Sequence, residues 1–381
     1  MLKVLKMRIY PNNTQKQKLL QHFGSARCIY NLMLYKKKEA YKKDKTSISS
    51  YELKKLLPQM KKSEEFGWLK EVDSMALQNA VLNMDRAYQN FFRRVKTKEK
   101  SGFPKFKSKH FSRQSYQTQN AVKKENKLYL PKIGLVKAKF HRDITGEIKT
   151  ATVSMEADQF FVSMNIEDEK EESFGANNGK KIGIDVGVKV FAHTSENQEI
   201  KHINLKKEIS NVIKAQKVLS RRKKGSKNRI KAKQKLAKKH LKLKNKRNDF
   251  LHKATKKLSE NQTIAVENLM IKNMSKKAKG SIENPNMRSS AKSGLNRSIL
   301  QQSWGKFFGF LEYKLKRNGG QLIKVDPKYT SQRCSCCGHI SKENRQTRSK
   351  FECVECGLQK NADYNASINI LNAIGTIAKA S

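Results

Sequence analysis

Leu2, Val4 and Ile9 are spaced between basic positions over the first ten residues and predict a strand. A helical period follows, in which Leu19, Leu20, Phe23, Ala26, Ile29, Tyr30 and Met33 recur at three- and four-residue steps. Leu77, Ala80, Val81, Met84, Ala87, Tyr88 and Phe91 do the same behind Asp73-Ser74 as a cap. Such stripes predict the core of a helix bundle, not a ligand box. From Leu128 to Ile166 the period shortens, with strands expected over Leu135 to Phe140, Thr150 to Ser154 and Phe160 to Ile166. With the N-terminal strand they predict a small β-barrel. Glu167 to Lys180, acidic and then rich in Gly and Asn, reads as a linker.

Two short apolar runs then stand out. Lys181 to Gly187 and Thr263 to Leu269, bounded by Gly, Lys or Asn, predict buried strands of a covered sheet. Each carries one acid, Asp185 and Glu267, and a third, Asp363, lies where Asn361 to Asn365 opens a helix. A carboxylate in low dielectric costs several kcal/mol unless it is paired or coordinates a cation. Any one of these acids alone reads equally well as a helix cap or a salt-bridge partner. Three converging on Mg²⁺ would have the means for phosphodiester chemistry.

Lys206 to Lys257 is the most basic stretch, with one Gly and no Pro, and Leu236, Leu243 and Phe250 recur seven apart. It predicts two long helices broken at Gly225-Ser226, their seam packed on the sheet. Their basic face, with Arg221, Arg222, Lys223, Lys224, Lys227 and Arg229 at the break, is free for a phosphate backbone. Ser275 to Arg297, polar and holding Gly280, Pro285 and Gly294, reads as a mobile loop that either covers a site or is plain disorder.

Composition points the same way. There are 82 Lys and Arg against 33 Asp and Glu, a net charge of +49, which calls for a polyanionic partner such as a large RNA. Charge alone separates neither RNA from DNA nor a binder from an enzyme. No apolar run approaches a transmembrane helix, and lysines break the first residues too often for a signal peptide, so a cytoplasmic, nucleoid-associated protein is expected. Five of six cysteines fall between positions 334 and 356. Cys334-x-x-Cys337 and Cys353-x-x-Cys356, with 15 residues between the pairs, have zinc-ribbon spacing, and disulfides are the poorer reading in a cytosolic chain. Gly338 and Gly357 follow each pair, where a knuckle turns through positive φ. Cys336 is an extra thiol that competes as a ligand, and Cys28 stands alone.

The order of these features, acid on a strand, helical insert, acid on a strand, Cys cluster and acid at a helix start, resembles the TnpB family of transposon-encoded RNA-guided nucleases. Local motifs strengthen the resemblance over nearly the whole chain. They are Lys6 to Pro11, Phe23 to Asn31, Ser74-Met-Ala-Leu-Gln78, Gly102-Phe-Pro-Lys-Phe-Lys107, Gly225 to Arg229, Ser303-Trp-Gly305 and Thr330 to Gly338. One departure is Asn361-Ala362, where many members carry Asp-Arg.

The resemblance implies an α/β RNase H-like (RuvC) nuclease domain over 180-328 and 361-381, split by a zinc ribbon over 329-360. It implies a wedge β-barrel over 1-12 and 103-172 carrying a helical recognition insert over 13-102. Asp185, Glu267 and Asp363 would be catalytic and hold two Mg²⁺, and Cys334, Cys337, Cys353 and Cys356 one Zn²⁺. The partners would be a guide RNA and a double-stranded DNA target with a short adjacent motif, sequence choice residing in base pairing. Gln78 is either the residue that faces that motif, since Gln reads adenine bidentately, or an ordinary helix residue. The competing functions are a nuclease-silent RNA-guided repressor, against which the intact acids argue, and a DDE-type transposase, which shares the fold and the acids.

Overall fold

A computed structural model describes residues 2–109, 113–141, 143–167, 177–277, 289–347 and 349–377. The chain clusters into two compact units, Met1–Glu171 with Lys233–Lys238 and Glu172–Ala232 with Lys239–Ser381.

In the first unit, strand β1 (Leu2–Tyr10) leads into helices α1 (Asn13–Asp44), α2 (Ser50–Lys62) and α3 (Ser74–Lys96). Each helix is started by a short polar side chain. Asn12 and Ser49 close capping boxes with Gln15 and Glu52, and Asp73 accepts from the Met75 amide at 3.1 Å. Six strands follow: β2 (Gln114–Thr118), β3 (Val122–Lys124), β4 (Lys127–Leu130), β5 (Gly134–Ala138), β6 (Glu147–Glu156) and β7 (Gln159–Glu167). The seven strands form an antiparallel sheet in the order β2-β6-β7-β1-β5-β4-β3, so β1 fills the middle of a sheet otherwise built after the helices. Strand and helix residues share one core, in which Phe23, Met33 and Leu77 meet Val153, Phe160 and Val162.

The second unit holds a mixed sheet. Strands β8 (Lys181–Val186), β9 (Ala192–Thr194) and β10 (Glu199–Ile200) form an antiparallel meander, and the helices α4 (Lys206–Ser220) and α5 (Lys227–Leu258) follow. β11 (Thr263–Glu267) then lies parallel to β8. The short α6 (Ile271–Met274), α7 (Ser289–Gln302) and α8 (Trp304–Arg317) lead to β12 (Gln321–Val325), parallel to β11. The hairpin of β13 (Lys350–Glu352) and β14 (Gln359–Asn361) precedes the last helix, α9 (Ala362–Ile377). The sheet order is β10-β9-β8-β11-β12.

Period-two alternation sorts the sheet residues by face. Ile182, Ile184, Ile264 and Val266 pack with Leu251, Phe307 and Leu311 of α5 and α8. Ala265 and Val325 turn the other way, onto Ile370 of α9.

One segment differs from the sequence reading. Ser275 to Arg297 was expected as a mobile loop, yet Ser289–Gln302 is helix, its Ile299 buried in the sheet core. The single apolar seam residue outweighs the polar composition. The remainder of that loop, 278–288, and most of the Glu167 to Lys180 linker lie outside the described residues.

Candidate active site

The site is set by strand register. β8 and β11 run parallel with Gly183 opposite Ala265. Two residues further along, at the carboxyl ends of these strands, Asp185 and Glu267 therefore stand side by side on the face that carries α9. The third acid comes from α9 itself. Asn361 accepts from the Asp363 amide at 2.9 Å and from the Tyr364 amide at 3.2 Å, capping the helix.

Burial, and then the charges of Glu267 and Asp363, push the Asp185 carboxyl well above the usual carboxylate range, despite Arg345 and the Val186 amide. Glu267 is also pushed up, by burial, against the hydroxyl of Thr330 and the charge of Arg345. Asp185 thus feels both other acids, and charging it is costly as it stands. A divalent cation would offset that cost, and carboxylate oxygens are hard donors of the kind Mg²⁺ takes.

Arg345 and Thr330 were not singled out from sequence as site residues. The Arg345 guanidinium stands 3.6 Å from Asp363 Oδ1. Thr330 Oγ1 donates to Glu267 Oε1 at 2.5 Å. Two buried amides of α9 place that segment: Asn369 donates to the carbonyls of Thr330 at 2.9 Å and Arg333 at 2.7 Å, and Asn365 to Arg333 at 2.8 Å. The signal in the sequence was the Asn365/Asn369 pair, polar and four apart on one face of a mainly apolar helix.

The thiols of Cys334, Cys337, Cys353 and Cys356 lie within 4.8 Å of one another, with Cys334–Cys356 at 3.7 Å and Cys337–Cys353 at 3.6 Å between sulfurs. A tetrahedral Zn²⁺ with Zn–S of about 2.3 Å needs sulfurs about 3.8 Å apart. The donors fit. Gly338 and Gly357 have φ of 79° and 70°, and their amides close each knuckle onto the carbonyls of Cys334 and Cys353. Cys336 is exposed and outside the group, which removes it as a competing ligand.

At the break between α4 and α5, Arg221, Arg222, Lys223, Lys224 and Lys227 are all exposed, around a Gly225 at φ 84°. Arg229 differs. Its Nη1 donates to the carbonyls of Leu219 at 2.9 Å and Arg222 at 2.8 Å, so it ties the end of α4 to the start of α5. Lys246 pairs with Glu208 along the same helical hairpin. Gln78 is half-buried on α3, in the other unit.

Known proteins place the chain. The "Putative RNA-guided DNA endonuclease InsQ" of Escherichia coli (strain K12) is 35% identical over 98% of this chain and 92% of its own length. The chain belongs to the TnpB family. A "Putative RNA-guided DNA endonuclease" of Streptomyces pristinaespiralis is 31% identical over 99% of this chain and 90% of that one. The family model described as "Cas12f1-like, TNB domain" matches residues 304–370, and that described as "Probable transposase" matches 161–278. A "Helix-turn-helix domain" model matches residues 1–46 of this TnpB-family chain, which fold as one strand and one continuous 32-residue helix. The Cas12f1 chain of a cryo-EM structure with sgRNA and target DNA aligns at TM-score 0.57 and 16% identity over 98% of this chain and 99% of that one, which shows a shared fold. The likeness spans both units of the chain, the α/β unit with its cysteine cluster included. Among the described residues, no helix is long and apolar enough to cross a membrane.

Proposed function

We propose that this chain is an RNA-guided DNA endonuclease of a transposable element, hydrolysing phosphodiesters at Asp185, Glu267 and Asp363. The observation that carries the reading is three carboxylates brought to one end of a sheet, two of them pushed up in pKa, in a family whose relatives bear that name. The carboxylates would hold two Mg²⁺, which supply an activated water and stabilise the leaving 3′ oxygen when bound. Thr330 orients Glu267 by occupying one carboxylate oxygen and leaving the other to coordinate. Arg345 offsets the negative charge beside Asp363 and is placed to donate to a non-bridging phosphate oxygen as charge develops there.

The rest of the assignment rests on placement and charge. The seven-stranded sheet with β1 at its centre reads as the wedge β-barrel of 1-12 and 103-172, and α1 to α3 as the recognition insert of 13-102. The exposed cations Arg221, Arg222, Lys223, Lys224 and Lys227 would hold a phosphate backbone of guide RNA or target DNA. Gln78 would face the target-adjacent motif. The four thiolates would bind one Zn²⁺.

The test pairs two readings of the same guide-loaded protein: cleavage of a matched duplex with Mg²⁺, and gel-shift binding to it. Asp185→Ala, Glu267→Ala and Asp363→Ala should each lower cleavage at least about 10²-fold while binding stays within a few-fold. Wild-type protein that binds but cuts under no divalent metal would establish a repressor instead.

A further inference from the structure

The first unit holds a partly open cavity of about 430 Å³ between α1, α3 and β2. Phe23 and Tyr30 give it aromatic wall, Asn83 an amide, and Arg27, Lys107 and Arg113 positive charge. No acidic residue is among the described residues that line it.

Lys107 is the best-fixed of the cations. Its main chain is clamped by the Asn31 side chain, which accepts from the Lys107 amide at 2.7 Å and donates to the Lys107 carbonyl at 2.9 Å. Its ammonium lies 3.8 Å from the centre of the Tyr30 ring, half-buried, and burial lowers its pKa. Among the described residues it makes no carboxylate pair, so the cost of desolvating it is offset only by the ring. An anion at this place would offset it fully.

Phosphate is that anion, and the remaining wall says what it is attached to. Aromatic rings and amides together recognise an unstacked base by its face and its edge. The volume falls in the small-ligand range of about 300–1,000 Å³, room for one nucleotide but not for a stacked duplex. Ala76, Ala80 and Asn83 line the cavity along one side of α3, whereas Gln78, two residues from both alanines, points away from it. The cavity is therefore separate from any contact that Gln78 makes.

We infer that this cavity takes a single extruded nucleotide of the bound nucleic acid, its base against Tyr30 and Asn83 and its phosphate on Lys107 and Arg113. The inference rests on the reading of the chain as a nucleic-acid enzyme. RNA and DNA share this chemistry, and the experiment separates them.

The full-length protein is bound to its copurifying RNA, with or without target duplex, and irradiated. Peptide mass spectrometry should find one nucleotide adduct on the segment bearing Tyr30 or Lys107, and the sugar mass tells RNA from DNA. Lys107→Gln should reduce the slope of log affinity against log salt by about one, because one phosphate contact is lost. Asn83→Phe should fill the cavity and cut the adduct at least fivefold with the salt slope unchanged. The inference is overturned if the folded wild type binds RNA and DNA with no adduct there, or if adduct and slope are indifferent to both variants. Wild-type protein that binds neither nucleic acid would overturn the parent reading as well.

Discussion

A Cβ added to Gly183 would stand 2.1 Å from the carbonyl oxygen of Ser367 and 2.7 Å from the amide nitrogen of Leu371. No real Cβ tolerates that approach, so only glycine lets the backbone of α9 rest directly on β8. The contact also bears on the acids. Asp185 lies two residues beyond Gly183 on the same strand face, and Asp363 lies one helical turn before Ser367, so seating the helix on the glycine keeps Asp363 within electrostatic reach of Asp185.

Gly183→Ala should therefore push α9 outward and separate Asp363 from Asp185. A misplacement of about 1 Å can cost 10²-fold in rate. Cleavage should fall by at least that factor while affinity for guide-bound target stays within a few-fold. Near-wild-type cleavage by the alanine variant would show that the alignment has another source.

Arg345 should be separable from the acids by its metal dependence. Arg345→Ala removes a cation that competes for the carboxylates, so half-saturation should move to lower Mg²⁺. The cleavage rate at saturating Mg²⁺ should nevertheless drop by about 10²–10³-fold, as for other groups that stabilise developing charge. Titrating Mg²⁺ against single-turnover cleavage reads both effects.

Asp185 should make the metal-free protein lose stability as pH rises. Its folded pKa lies above its unfolded value, so between the two the folded state binds the extra proton and is favoured at the lower pH. Deprotonation through the folded pKa then removes that advantage. In EDTA at neutral pH, Asp185→Asn should melt a few degrees higher than wild type and show a flatter pH profile. Added Mg²⁺ should stabilise wild type and leave the variant unmoved.

Cys353→Ser should release zinc, read by elemental analysis, and lower cleavage as well. One lost thiolate opens a site whose binding energy folds the module. Arg345 sits between the two knuckles, so unfolding them should remove it from Asp363 and bring the rate down toward that of Arg345→Ala.

What could be read in advance followed a local logic. Asp185 and Glu267 were visible because a charge inside a short apolar run is unusual. The four cysteines were visible because knuckle spacing is a property of adjacent residues, and the α4/α5 break because Gly225-Ser226 carries its own turn and cap. What stayed hidden depends on tertiary neighbours. Arg345 is one cation among 82 Lys and Arg, and nothing near it in sequence marks its approach to Asp363. Arg229 looked like its basic neighbours, yet its Nη1 donates to the carbonyls of Leu219 and Arg222. α7 looked like a loop because its polar residues outnumber the one, Ile299, that fixes it.

The cysteine knuckles interrupt the chain between β12 and α9, so the chain reaches the last acid only by way of four sulfurs. Phosphodiester hydrolysis transfers no electrons, and none of the three carboxylates responds to an oxidant. The thiolates do: oxidised, they can no longer hold a metal. A nuclease with this connectivity inherits the redox sensitivity of a module that lends its site only Arg345 and Thr330, and in an oxidising medium should fall silent with all three carboxylates intact.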